Sequence, residues 1–226
     1  MNSLSSLKKL VCVTLSVSGL LFVGSVAADG NNKYDVTITN LTRGEIFTPI
    51  LVASTNRDSR LFTLGAAASN ELEVIAESGN PVPLSNSLIA TGAAMDVVTS
   101  AGVLAPGKSV TLTVKTSSKY RHITVASMLV PTNDAFFAVN GVDIPRGHKT
   151  LTVYSPAYDA GTETNDELCA AIPGPPFICT GEGVSAASGE GYVHIHAGIQ
   201  GVGDLIKANH DWRNPVAKIT IRKADR

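Results

Sequence analysis

The stretch that decides the fold is Tyr34-Asp35-Val36-Thr37-Ile38-Thr39, in which apolar and polar side chains alternate residue by residue. Side chains of a β-strand point alternately to opposite faces of a sheet, so this pattern predicts a strand with one buried and one solvated face. The same alternation recurs at residues 110–115 and 218–222. These segments predict a sheet that faces water on one side.

Further strands are predicted from short runs rich in β-branched and aromatic residues. These runs are Phe47–Ser54, Ile123–Val130, Phe136–Val139, Thr150–Tyr154 and Tyr192–Ile199. Because the run at 123–130 is apolar throughout, we expect it to be a central strand. A helix is expected to begin near Ser69 and to end at Gly79 and Pro81, with another short turn within 203–208. The pattern predicts an all-β fold, an antiparallel β-sandwich with one or two short helices and long end loops.

The first 28 residues are typical of a secretory signal peptide. Lys8 and Lys9 precede an apolar stretch at residues 10–23, and Val26-Ala27-Ala28 offers a cleavage site before Asp29. We therefore expect a signal peptide over 1–28, a single domain over 29–226, and a secreted or periplasmic product. The apolar stretch is short for a membrane span, and the mature chain is expected to have none.

The charge balance excludes some partners. The formal net charge is −1 and only 16% of residues are charged, so we expect no nucleic-acid partner and no disordered charged tail. Cys169 and Cys179 remain after removal of the signal peptide and are expected to form a structural disulfide in an oxidising compartment.

An acidic loop at residues 158–167 follows the strand at 150–154. Asp159 and Glu163 supply carboxylate oxygens, and Gly161 lets the loop fold back. Calcium prefers such oxygens, but an acidic surface loop that binds nothing explains the same residues. Asp134, in a loop between two apolar strands, is a further acidic candidate that a sandwich could bring close to the first.

Three segments together resemble the spondin domain. Residues 127–139, Ser-Met-Leu-Val-Pro-Thr-Asn-Asp-Ala-Phe-Phe-Ala-Val, resemble its strand ending in Val-Pro followed by Ser-Pro-Asp-Trp-Phe-Val-Gly. Residues 158–163 resemble its Asp-Ala-Gly-Thr-Asp loop, and residues 215–221 its closing Pro-Ile-Ala-Arg-Val-Thr strand. Ala135 stands where the family usually has Trp, and Glu163 where it has Asp.

The resemblance implies an antiparallel β-sandwich that binds one structural calcium ion and acts in adhesion or partner binding outside the cell. Carried over position by position, it implies Asp134, Asp159 and Glu163 as the calcium ligands, with backbone carbonyls completing the shell. It further suggests a stand-alone, bacterial-style member of the family whose partner is an unknown protein or glycan.

A second constellation points to a transition metal. His194 and His196 project from the same face of a strand, and His210, or Asp211 next to it, could supply a third ligand for copper or zinc. Ordinary polar histidines explain the pattern equally. The alternative function is therefore a periplasmic copper- or zinc-binding protein.

No sequence motif selects an enzymatic site. Serine-elbow, phosphate-binding-loop, dinucleotide-binding and zinc-protease motifs are absent from the sequence. We expect a secreted calcium-binding module that is not an enzyme, with a hydrolase of unrecognised site as a second alternative.

Overall fold

The computed structural model describes residues 32–184 and 189–225, so the predicted signal peptide lies outside the described residues. Within these ranges the chain forms eleven strands and three helices. The strands are β1 Asn32–Asn40, β2 Ile46–Phe47, β3 Leu51–Thr55, β4 Ala94–Thr99, β5 Ser109–Thr116, β6 His122–Val130, β7 Ala135–Asp143, β8 Thr150–Ser155, β9 Ala157–Asp159, β10 His194–Ile195 and β11 Ala217–Lys223. The helices are α1 Asn70–Ser78, α2 Val82–Ala90 and α3 Lys207–His210.

The strands form two sheets, and every strand pair is antiparallel. The first sheet has the order β5-β1-β11-β8, and the second β10-β9-β7-β6-β3-β4, with β2 also pairing with β6. The two sheets pack around one large hydrophobic core. The predicted antiparallel β-sandwich is confirmed.

The alternating pattern of β1 determines how the first sheet packs. Val36 and Ile38 are fully buried in the core between the sheets, whereas Asp35 and Thr37 lie on the less buried face. Their neighbours Ile219 and Ile221 of β11 are also fully buried. One face of this sheet therefore forms the core and the other meets solvent, as the sequence predicted.

Strand β6 is central, as predicted, and is covered on both faces. Its residues from Ile123 to Val130 are all buried. One face contributes to the core between the sheets, and the other packs with α1 and α2 in a second core around Leu72 and Ile75. The molecule thus has three layers: the four-stranded sheet, the larger sheet, and a helical pair that covers part of it.

The helical pair extends beyond the sequence prediction. Ser69 caps α1 by accepting a hydrogen bond from the Leu72 amide at 3.3 Å, and Gly79 ends it with a left-handed φ of 66°. The chain then enters α2, which the sequence analysis missed. Pro81 and Pro83 were taken as helix breakers, but prolines at the start of a helix remove no hydrogen bond within it.

Two predicted strands are shorter in the structure. The run at 47–54 divides into β2 and β3 around Pro49, which has no backbone N–H to donate to a neighbouring strand. The run at 192–199 contains only the two-residue β10, because the amide of Gly198 donates to the His196 ring at 2.9 Å instead of to a strand.

A disulfide joins Cys169 to Cys179, as predicted. Near the bridge, Ile172 is fully buried in the core between the sheets, and its carbonyl accepts a hydrogen bond from the Gly181 amide at 2.8 Å. The bridge therefore anchors the long loop before β10 to the sandwich. None of the helices in the described part of the chain has the length and apolar character needed to cross a membrane.

Removal of the bridge should destabilise the folded state. The disulfide closes a ring of eleven residues, and the chain-entropy relation gives about 2.8 kcal/mol for a ring of this size. We expect the Cys169→Ser/Cys179→Ser variant to lose about that much free energy of unfolding, measured by urea titration under non-reducing conditions. Equal stability of the variant and the wild type would contradict a stabilising role.

Candidate metal centre

Antiparallel pairing of β7 with β9 brings the two acidic loops together. Ala135, the first residue of β7, lies opposite Asp159, the last residue of β9. The amide of Ala160 donates to the carbonyl of Asp134 at 3.3 Å. Asp134 and Asp159 therefore lie at the same end of the larger sheet, although 25 positions separate them in the sequence.

The Asp134 side chain joins the two loops. Its Oδ2 accepts hydrogen bonds from the backbone amides of Thr162 at 2.9 Å and Glu163 at 3.2 Å, and from the Thr162 hydroxyl at 3.3 Å. Its Oδ1 is buried and accepts no hydrogen bond from any residue that the structure describes. One oxygen thus has a fixed position while the other has spare capacity for a ligand.

Asp159 is held from its own side of the site. Its Oδ1 accepts from the Gly161 amide at 2.8 Å, and its Oδ2 accepts from the Asn165 side chain at 2.7 Å. Gly161 is required here, since its φ is 68° and an added Cβ would lie 2.3 Å from the Tyr192 carbonyl oxygen. The loop can therefore pack against the chain next to β10 only with glycine at this position.

The three predicted calcium ligands are all buried. The exposed fractions of Asp134, Asp159 and Glu163 are 0%, 1% and 1%. Burial raises the pKa of Asp134 to about 8, and the charge of Asp159 raises it further, against the hydrogen bonds from the opposing loop. Charged carboxylates this close together and this far from water call for a nearby positive charge.

These residues fit calcium. Two neighbouring carboxylates, the spare Oδ1 of Asp134 and the buried Glu163 side chain supply the hard oxygen donors that calcium prefers. Asn165, expected to be a neutral oxygen donor, lies differently: its amide nitrogen bonds Asp159 and its oxygen lies 3.0 Å from His196 Nε2. Asn165 therefore connects a predicted calcium ligand to the histidine strand.

The structure joins the two constellations that the sequence analysis treated separately. Strand β10 pairs with β9 so that His194 lies opposite Asp159. His194 Nε2 lies 3.6 Å from Asp159 Oδ1, and His196 Nε2 lies 3.8 Å from Asp159 Oδ2. Both histidines thus face the same carboxylate.

Both ring nitrogens of His196 are occupied by protein groups. Nδ1 accepts the Gly198 amide proton, so the neutral ring carries its proton on Nε2 and donates it to Asn165. Burial lowers the pKa of His196, although Asp159 acts in the opposite direction. The ring also packs on Trp212, with 5.0 Å between ring centroids. His196 is therefore a neutral, fixed part of the interior.

The third predicted histidine lies against a different carboxylate. His210 Nδ1 is 3.4 Å from Oε1 of Glu45, a fully buried residue before β2. The sequence gave no sign of this pair, because Glu45 and His210 are 165 positions apart. Burial raises the pKa of Glu45 to about 7, and Asp211 raises it further, whereas His210 lowers it.

Glu167 is a further organising residue that the sequence analysis did not single out. It is buried and has a φ of 57°. Its carboxylate accepts the backbone amides of Gln200, Gly201 and Val202 at 2.5, 2.7 and 3.0 Å. Its own amide donates to Asn133 beside Asp134 at 3.1 Å. Glu167 thus ties the acidic loops to the segment that follows the histidines.

The geometry defines the class of protein: a β-sandwich domain whose end loops enclose a buried cluster of carboxylates. The family model Spondin_N matches residues 37–167, more than half of the chain, and the protein belongs to this family of extracellular-type domains. No curated protein matches the chain. The matched region includes Asp134, Asp159 and Glu163 but ends before the three histidines.

The Glu45 and His210 pair predicts a pH dependence. A carboxyl with an ordinary pKa of 4.5 and a folded-state pKa of about 7 holds more protons when folded, so stability falls as pH rises through that window. We expect Glu45→Gln, which resembles the protonated form, to gain on the order of 3 kcal/mol relative to wild type between about pH 5 and about pH 8. Urea unfolding at both pH values measures the difference.

Glu182→Gln, at an exposed site, is the matched control and should leave the pH dependence unchanged. Identical pH dependence of the wild type and Glu45→Gln would show that Glu45 keeps an ordinary pKa in the folded protein.

Proposed function

We propose that the protein is an extracytoplasmic binding or adhesion module, without enzymatic activity, whose end loops are held in place by one structural calcium ion. The observation that carries the proposal is the burial of Asp134, Asp159 and Glu163, from two loops, at one end of the sandwich. Membership of the spondin family supports the extracellular setting.

The charge of the site supports a resident cation. With Asp134 and Asp159 close together and buried, the pKa of Asp134 rises to about 8. A bound calcium ion would supply the positive charge that keeps both carboxylates ionised. The protein's own contribution is orientation, since the opposing loop's amides fix one oxygen of Asp134 and leave the other available.

The arrangement also supports a structural role for the ion. Asp134 precedes β7, and the residues that bond it follow β9. A cation held here would fasten these two loops to each other and hence fix the surface at this end of the sandwich. We propose that this surface meets a protein or glycan partner, the recognition task that loops on a rigid scaffold commonly perform.

The burial of the site supports a non-enzymatic function. A catalytic group must reach its substrate within hydrogen-bond distance. The side chains of Asp134 and Asp159 are closed off from solvent, and both oxygens of Asp159 already accept hydrogen bonds from Gly161 and Asn165.

The calcium proposal predicts a stability effect that depends on Asp134. At calcium concentrations about 100 times the dissociation constant, binding adds about 2.7 kcal/mol. This corresponds to a rise in Tm of roughly 5–10 °C for a domain of this size. We expect that rise in the wild type on replacing chelator with calcium, and its loss in Asp134→Asn, measured by calorimetry at neutral pH.

Asp58→Asn, at an exposed site, is the matched control and should keep the calcium-dependent rise. The proposal fails if the wild type melts at the same temperature in calcium and in chelator, or if Asp134→Asn retains the full rise.

The adhesion proposal predicts calcium-dependent recognition. We expect the wild type, immobilised on a surface and screened against panels of glycans and matrix proteins, to bind a ligand in calcium and to lose it in chelator. Asp134→Asn should lack the interaction at a temperature where it remains folded, because its loops are no longer fastened. Recognition of the same ligand with equal strength in calcium, in chelator and by the variant would separate partner binding from the calcium site.

A further inference from the structure

The structure places a second metal-ligand group on the outer side of Asp159. Ligand atoms of Asp159, Glu190 and His194 all lie within 4.8 Å of one another. Glu190 was not among the ligands expected from the sequence, and it replaces His196 and His210 of the predicted transition-metal set. The side chains of His194 and Glu190 are 27% and 40% exposed, so an ion can enter from solvent.

The hydrogen bonding of His194 leaves a lone pair directed at two carboxylates. His194 Nδ1 lies 3.1 Å from the carbonyl oxygen of Ile195, which can only accept, so Nδ1 carries the proton of the neutral ring. Nε2 then has a free lone pair, 3.6 Å from Asp159 Oδ1 and 3.7 Å from Glu190 Oε2. Three electron-rich atoms that face each other in this way are stable only around a positive charge.

The separations suit an ion better than direct hydrogen bonds. Both distances exceed the range of good N–H···O hydrogen bonds. A tetrahedral zinc ion with bonds of about 2.1 Å holds its ligand atoms roughly 3.4 Å apart, close to the observed spacing. The Tyr192 ring packs on the His194 ring, with 5.2 Å between centroids, and restrains the imidazole.

We propose that Asp159, Glu190 and His194 form a site for a divalent transition-metal ion of the zinc type. One imidazole nitrogen and two carboxylate oxygens are a donor set suited to zinc, with water completing the shell. The Ile195 carbonyl sets the tautomer of the ligating ring, as outer partners of metal-bound histidines commonly do. The proposal goes beyond the calcium function and shares only Asp159 with it, so its test leaves Asp159 unchanged.

Zinc titration of the protein after exhaustive chelation tests the site. We expect the wild type to bind zinc in isothermal calorimetry, and Glu190→Gln and His194→Ala each to bind at least roughly tenfold more weakly, the smallest loss that removal even of an outer partner causes. Because Glu190 is partly exposed, Glu190→Gln is expected to fold normally and decides the matter alone if His194→Ala does not.

Two matched controls accompany these variants. Glu182→Gln removes an exposed carboxylate from the same loop region. His122→Ala removes a histidine paired with a single carboxylate, Asp143, at 3.2 Å. Both controls should bind zinc as the wild type does. Zinc binding lost in His122→Ala and retained in Glu190→Gln would overturn the assignment.

The calcium variant separates the two proposals. We expect Asp134→Asn to keep zinc binding, and Glu190→Gln to keep the rise in Tm with calcium. The zinc site is overturned if the wild type binds no zinc, in which case a proton on His194 suffices for the cluster. It is also overturned if zinc binding is lost in Asp134→Asn but intact in Glu190→Gln, since zinc then enters the inner carboxylate cluster.

Discussion

The pairing of β9 with strands on both of its sides is the constraint on which the rest of the site depends. One neighbour, β7, places Ala135 opposite Asp159, and the other, β10, places His194 opposite the same residue. Asp159 is therefore buried between an acidic loop and a histidine strand. A buried carboxylate in this position must find hydrogen bonds and positive charge, and the surrounding residues are arranged to supply them.

The sandwich provides the rigidity that this arrangement needs. Strand β6 is buried on both faces, between the four-stranded sheet and the helical pair, and holds β7 in register. Glu167 fastens the segment after β10 through three backbone amides, and the disulfide anchors the loop before it. The site thus combines short loops on rigid strands with a long segment tied down at two points, a scaffold suited to preorganised recognition.

The strands with one solvated face could be predicted from local alternation, which depends on nothing beyond neighbouring residues. The three carboxylates came from a family resemblance, and the structure brings Asp134 and Asp159 to one end of the sheet. The meeting of His194 with Asp159, and of His210 with Glu45, follows from long-range strand pairing and packing that periodicity does not encode. Helix α2 and strand β4 were missed because turn residues around them dominated the local signal.

The most direct test of the calcium site is a crystal structure of the protein grown with calcium, with the ion located by its anomalous scattering. The account predicts one calcium ion bound by Asp134, Asp159 and Glu163, with the spare Oδ1 of Asp134 among its ligands. A calcium-saturated crystal with no ion between these carboxylates, or with the ion bound only elsewhere, would contradict it.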